Sequence, residues 1–307
     1  MNPIYLSTYA HRQLDERIEN LYRILENCEL CPRKCRVNRL KGERGYCRSG
    51  RQLTVSSYGP HFGEEEPLVA TGGSGTIFLT NCNLLCVYCQ NYEISHLGCG
   101  TPESEEAVAN YMIDLQRRSC HNINLVTPTH FTPQLVKAIA TAIPNGLQIP
   151  IVWNCGGYEN VETIRLLDGI VDIYMPDIKY GSADSAREYS NAPDYFQRCK
   201  EAVREMHHQV GDLTIEEGIA RRGLLIRHLV LPNNAAGSKE VLKFIAEEIS
   251  KNTYVNIMDQ YRPMHRAYEY EKLRRRPNLK EYKQVVDIAK ELGLDRGETY
   301  RHAAWIR

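Results

Sequence analysis

Three cysteines, Cys82, Cys86 and Cys89, come directly after the apolar run 76–80, in the segment Asn81-Cys82-Asn83-Leu84-Leu85-Cys86-Val87-Tyr88-Cys89. The spacing C-x3-C-x2-C gathers three thiolates on one short loop and supplies no fourth ligand. Held this way, a cubane [4Fe–4S] cluster keeps one iron open to a ligand the protein does not provide. Accident is a poor explanation: 11 cysteines in 307 residues would give one fixed three-cysteine spacing only about 0.014 times. Scattered free cysteines are commonly small core residues. Three crowded onto a loop suit a metal centre better.

The chain beyond this loop constrains the fold. From Gly75 onward, short apolar strands alternate with amphipathic helices. Strands are expected at 76–80, 123–127, 149–154, 171–175, 224–231 and 254–258, and helices near 103–118, 132–143, 159–168, 193–209 and 238–250. A final helix is expected over 279–293, with Gly293 as its stop. Such alternation is the signature of parallel βαβ units, and right-handed crossovers would curl six of them into a partial barrel. The expected fold class is therefore α/β: a partial (β/α)6 parallel barrel over 75–307, preceded by a small Cys-rich extension over 1–74. In the extension, Leu14, Ile18, Leu21 and Leu25 recur at helical intervals, so 7–27 reads as one helix. Residues 52–74 read as a short strand pair and loop containing the acidic turn Gly63-Glu64-Glu65-Glu66-Pro67.

In parallel α/β architectures, functional groups gather at the carboxyl ends of the strands, and the cysteine loop sits there. The other expected strands also end in polar residues: Thr127-Pro128-Thr129-His130, Asn154-Cys155-Gly156-Gly157, Asp177 with Lys179, Arg227-His228, and Asp259-Gln260-Tyr261-Arg262. Glycines such as Gly156 and Gly157 let backbone approach a ligand closely. Each set has a plainer reading. Asp177 with Lys179 could be a structural ion pair, and His228 a satisfied core histidine. Convergence at one mouth favours function.

A second group, Cys28, Cys31, Cys35 and Cys47, has the spacing C-x2-C-x3-C-x11-C. Four thiolates can close a tetrahedral Zn²⁺ site or hold an auxiliary iron–sulfur cluster, and spacing does not choose between them. A thiol pair or metal-free loop is the remaining alternative. Eight Lys or Arg between Arg33 and Arg51 face one acid, Glu43. They read as a docking surface for an acidic partner or, more simply, as solvated cations offsetting thiolate charge. Cys99, Cys120, Cys155 and Cys199 stand alone, and packing explains them, although Cys155 lies at a strand end.

Composition excludes some classes. A formal net charge of zero, with 42% hydrophobic and 25% charged residues, is ordinary for a globular protein and drives the chain to neither nucleic acid nor membrane. The first twenty residues lack a basic stretch followed by an apolar one, and no apolar run approaches the roughly 20 residues of a spanning helix. Eleven cysteines in that setting suggest reduced thiols. The expected location is cytoplasmic, without membrane or nucleic-acid partners.

The triad, with an aromatic just before its last cysteine, resembles the radical S-adenosylmethionine (SAM) superfamily. Together with TPTHFTP, NCGGYE, LDGIVDIYMPDIKY, LLIRHLVLPN and VNIMDQYRP, it resembles the subfamily described as homologues of pyruvate formate-lyase activating enzyme. The resemblance implies a [4Fe–4S] cluster on Cys82, Cys86 and Cys89, its open iron chelated by the amino and carboxylate end of SAM. It implies reduction by a low-potential donor such as flavodoxin or ferredoxin, cleavage of SAM, and a 5′-deoxyadenosyl radical that takes hydrogen from a substrate. In true activases that substrate is a glycine of a partner enzyme. By motif position, Tyr88 would pack near the adenine. Thr129 and His130 stand where the parent family usually has Gly-Gly-Glu contacting the SAM amine, a departure. Asn154, Asp177, Lys179 and Arg227 match strand-end positions used for SAM or substrate. The ferredoxin-like cysteine insertion of some activases is missing. The expected substrate is a protein or peptide. A free metabolite such as an amino acid is the alternative, and a non-catalytic electron-transfer protein a more distant one.

Overall fold

Residues 1–297 are described in the computed structural model; the last part of the expected barrel region, 298–307, lies outside the described residues. The strands are β1 (Leu53–His61), β2 (Ser74–Leu79), β3 (Thr101–Glu103), β4 (Ile123–Val126), β5 (Ile151–Cys155), β6 (Ile173–Pro176), β7 (Thr214–Glu216), β8 (Ile219–Leu229) and β9 (Tyr254–Met258). They form one sheet in the order β3-β1-β2-β4-β5-β6-β8-β9, with β7 added to β8. The six strands β2, β4, β5, β6, β8 and β9 run parallel, which matches the expected partial barrel. No helix among the described residues is long and apolar enough to cross a membrane.

The helices are α1 (Tyr5–Ala10), α2 (Leu14–Ile24), α3 (Glu66–Val69), α4 (Tyr92–Ser95), α5 (Glu105–Arg117), α6 (Thr132–Ala142), α7 (Val161–Leu166), α8 (Ala183–Ser190), α9 (Tyr195–Val210), α10 (Ser238–Phe244) and α11 (Leu279–Glu291). Local chemistry sets several of their ends. Ser104, Asn160, Ser182 and Asn278 each accept a backbone N–H at a helix start, and Glu281 completes a capping box with Asn278.

Strand residues alternate between two apolar layers, as a period of two requires. Ile77, Leu79, Leu125, Trp153, Tyr174 and Ile226 join the helices in the main core. Val152, Ile173, Met175, Leu225 and Tyr254 form a separate cluster, into which α3 inserts Leu68. The segment between β1 and β2 thus plugs the barrel at the amino ends of its parallel strands. Asn122 Nδ2 fastens the plug by donating to the Leu68 carbonyl at 2.8 Å.

Two expectations need correction, and one hairpin was not expected. The helix over 7–27 is broken at Arg12, whose φ of 58° is left-handed. The two halves answer to different partners. Ile4 N–H and Thr8 Oγ1 tie α1 to Asp172 Oδ1 and the Gly169 carbonyl, whereas α2 packs on α6. The strand pair over 52–74 is one strand, β1, whose antiparallel partners are β2 and the distant β3. The hairpin of β7 and β8 went unread because its turn is Glu217-Gly218, both at positive φ, where Asn-Gly or Asp-Gly is the usual signal.

Asp172 makes the fold pH-sensitive. Its buried carboxylate accepts from Ile4 N–H at 2.7 Å and Ile151 N–H at 2.9 Å, yet burial pushes its pKa up to about 7. The native chain therefore holds a proton that the unfolded chain has released. This contribution to stability is complete below about pH 4 and lost as pH rises to about 7. Thermal unfolding of the Asp172→Asn chain should show a shallower fall between those limits than the parent. Parallel pH profiles would contradict the assignment.

Candidate active site

The triad loop leaves β2 through two left-handed residues, Asn81 and Leu85. Asn81 N–H donates to the Ile94 carbonyl at 2.8 Å, so α4 folds back under the loop. Each sulfur meets a hydrogen-bonding group. Leu84 N–H donates to Cys82 Sγ at 3.3 Å, Ser190 Oγ donates to Cys86 Sγ at 3.1 Å, and Ser95 Oγ shares a hydrogen with Cys89 Sγ at 3.1 Å. Burial and the neighbouring Cys86 push the Cys82 thiol up to about 12, and burial also raises Cys89. Such thiols stay protonated until a metal displaces the proton. All three cysteines line one partly open cavity of about 420 Å³.

These residues fit the cluster the sequence implies. A single tetrahedral ion would ask for a fourth protein ligand that this loop does not carry. A cubane instead takes one thiolate on each of three irons, so its ligands stand apart around it. Gly156 makes room beside the loop, since a Cβ there would meet Leu84 Cδ1 at 2.8 Å.

Across the cavity lies a charged group centred on Arg227. Its Nε donates to Asp177 Oδ1 at 2.7 Å, Nη2 to Asn154 Oδ1 at 2.7 Å and Nη1 to Glu64 Oε2 at 3.2 Å. Lys179 Nζ reaches Asp177 Oδ2 at 2.6 Å. Burial alone would raise the Asp177 carboxyl, but the Arg227 and Lys179 cations prevail and hold it at about 2. Glu64, supplied by the plug, was missed in the sequence. An acidic turn before a helix reads as solvent-facing, and only the barrel topology brings it inside. Beside it, Asn256 Nδ2 donates to Glu65 Oε1 at 2.8 Å, and burial raises the Glu65 carboxyl.

Of the residues singled out from sequence, Cys82, Cys86, Cys89, Tyr88, Asn154, Asp177, Lys179 and Arg227 all border this cavity. Tyr88 is buried edge-on to Tyr180 and Tyr261, with ring centroids 6.3 and 5.8 Å away. Thr129 and His130 do not border it. Thr127 turns left-handed at φ 60°, and the 3-10 turn Thr129–Phe131 carries both behind the wall. There Thr129 Oγ1 donates to Glu159 Oε1 at 2.6 Å and His130 Nε2 bonds the Thr80 carbonyl at 2.7 Å. Val126 and Thr127 take their place at the cavity. His228 is a satisfied core residue, bonded to the Ile178 carbonyl and Ser238 Oγ, and burial lowers its pKa to about 4. The quartet Cys28, Cys31, Cys35 and Cys47 surrounds a different, smaller void.

Comparison with known proteins places this geometry. The sequence model of the Radical SAM superfamily matches residues 76–215, from β2 to β7. MJ0674 of Methanocaldococcus jannaschii, an uncharacterized protein, is 33% identical over 290 residues, covering 92% of this chain and 80% of that protein. MJ0808 of the same organism, also uncharacterized, is 24% identical over 245 residues, covering 74% and 68%. Among solved structures, a radical SAM methyltransferase from Sphaerobacter thermophilus gives a TM-score of 0.47 at 12% identity, over 72% of this chain and 64% of its own. Native anSMEcpe with bound AdoMet gives 0.45 at 12% identity, over 69% and 57%. The chain thus spans less than two thirds of the length of either solved protein. With the superfamily match beginning in the strand that delivers the cysteine loop, the chain carries a radical SAM superfamily domain over residues 76–215, and enzymes of that superfamily use a [4Fe–4S] cluster and SAM.

Proposed function

We propose that this enzyme takes a hydrogen atom from a protein or peptide substrate, as glycyl-radical activases do. Cys82, Cys86 and Cys89 would hold the cluster. When bound, the reduced cluster and SAM supply a 5′-deoxyadenosyl radical. The chain's own residues bind, orient and shield. Tyr88, backed by Tyr180 and Tyr261, closes one wall against water. Asn154, Asp177, Lys179 and Arg227 present donors and acceptors suited to an amine, a carboxylate and ribose hydroxyls. Radical SAM enzymes need a reductant as well as a substrate, and a low-potential protein such as flavodoxin or ferredoxin would serve.

The observation that carries the reading is the size and opening of the cavity. Its volume of about 420 Å³ lies near the low end of the roughly 300–1,000 Å³ typical of a single ligand site. The cluster and SAM would together fill it, so the group attacked must arrive through the mouth. Gln90, Asn91 and Gln260 border the cavity there, and carboxamides can pair with the backbone of an extended segment. The charged group around Arg227 favours a second reading, modification of a free amino acid held by its amine and carboxylate.

Anaerobic reduction of the reconstituted enzyme with SAM should release 5′-deoxyadenosine and methionine in equal amounts. Absence of both would sink the assignment. Deuterium appearing in 5′-deoxyadenosine from a labelled polypeptide supports the first reading, and transfer only from a free amino acid supports the second.

A further inference from the structure

Nothing in that reading uses the amino-terminal quartet, yet the fold draws it together. Cys28, Cys31, Cys35 and Cys47 wrap a nearly closed void, bordered also by Arg39 and His130. Cys28, Cys31 and Cys47 are buried and Cys35 partly so, and all four are free thiols. Tyr46 N–H donates to Cys35 Sγ at 3.2 Å. Backbone crosses Cys35 so closely at Gly45 that a Cβ there would lie 2.6 Å from the sulfur.

Arg39 shows what the void is built to receive. Its guanidinium is 1% exposed and donates to the Gly50 carbonyl and, at 3.9 Å, to Cys28 Sγ. None of these partners is a carboxylate. A buried cation without an anion is strongly disfavoured, and metal-bound thiolates would supply the missing negative charge. The His130 ring borders the same void, and its Nδ1 has no hydrogen-bond partner among the described residues.

The type of metal centre can be read from how the sulfurs stand. Zinc draws four thiolates to about 2.3 Å from a single ion, closer than sulfurs that leave a void between them. The cysteines instead surround a space that still admits a water-sized sphere. Sulfurs spread around a void suit a polynuclear core that takes one thiolate per iron. We propose that Cys28, Cys31, Cys35 and Cys47 hold a second iron–sulfur cluster. With four protein ligands, it has no iron open to SAM.

This centre adjoins the triad loop. Arg33, between Cys31 and Cys35, donates through Nε to the Asn83 carbonyl at 2.9 Å and through Nη2 to the Ser190 carbonyl at 2.8 Å. Asn83 lies between Cys82 and Cys86, and the Ser190 hydroxyl bonds Cys86 Sγ. The Arg33 guanidinium also stacks 3.7 Å over the Tyr46 ring, next to Cys35. One arginine therefore joins the two cysteine loops.

The test is metal, acid-labile sulfide and Mössbauer analysis of the full chain reconstituted anaerobically with iron and sulfide. About eight irons and eight sulfides per chain are expected, in two similar populations of which SAM shifts only one. About four irons, all responding to SAM, would overturn the proposal. The triple variant Cys82→Ala/Cys86→Ala/Cys89→Ala should keep about four irons with sulfide and be silent to SAM; zinc without sulfide, or no metal, would overturn it as well. Because the readout is metal content, the result does not depend on which substrate the enzyme takes.

Discussion

Replacing Cys86 with alanine should abolish SAM cleavage and remove the SAM-responsive cluster, because Cys82 and Cys89 alone leave two thiolates for a core that needs three. Acid-labile sulfide should fall by about four per chain, and 5′-deoxyadenosine should fall to the level of a reaction without enzyme. The fold should survive, since deleting one buried sulfur from a loop beside Ser190 leaves the barrel strands untouched. Circular dichroism and thermal unfolding of the metal-free chains separate the two effects. Retained SAM cleavage with full iron content would refute Cys86 as a ligand.

The second large effect is on stability. Arg227→Ala leaves Asp177 and Glu64 facing each other inside the barrel with one of their cations gone. Removing one partner of a buried ion pair typically costs about 3–5 kcal/mol, and here a single guanidinium serves two carboxylates and Asn154. Denaturant unfolding should show a loss in that range. The double change Arg227→Met/Glu64→Gln should recover a large part of it, because Glu64 loses its charge together with its Arg227 partner while Asp177 keeps Lys179 at 2.6 Å. A loss below about 1 kcal/mol, the usual value of an exposed pair, would show that solvent already screens the network.

How much of this was legible in the sequence depended on whether a feature is local. The parallel strands were legible because their period of two is written in consecutive residues, and the meeting of Cys82, Cys86 and Cys89 at one cavity because all three lie on one short loop. Asp177, Lys179 and Arg227 were found through topology, which puts strand ends at one mouth. Glu64 was not, since it reaches the site through the plug from the opposite end. Thr129 and His130 were placed at the mouth because a hydrophobicity pattern does not reveal that Thr127 is left-handed, and that one dihedral redirects the next four residues. Arg33 and Arg39 illustrate the same limit. In the sequence they belong to a basic run that reads as solvated; in the fold both turn inward, one toward the Asn83 carbonyl of the triad loop and one toward Cys28.

The plug that sends Leu68 and Glu64 into the barrel gives it a closed floor opposite the cysteine loop. A ligand settled against Arg227 therefore rests on a stoppered base, and a later arrival lies over it on the open side.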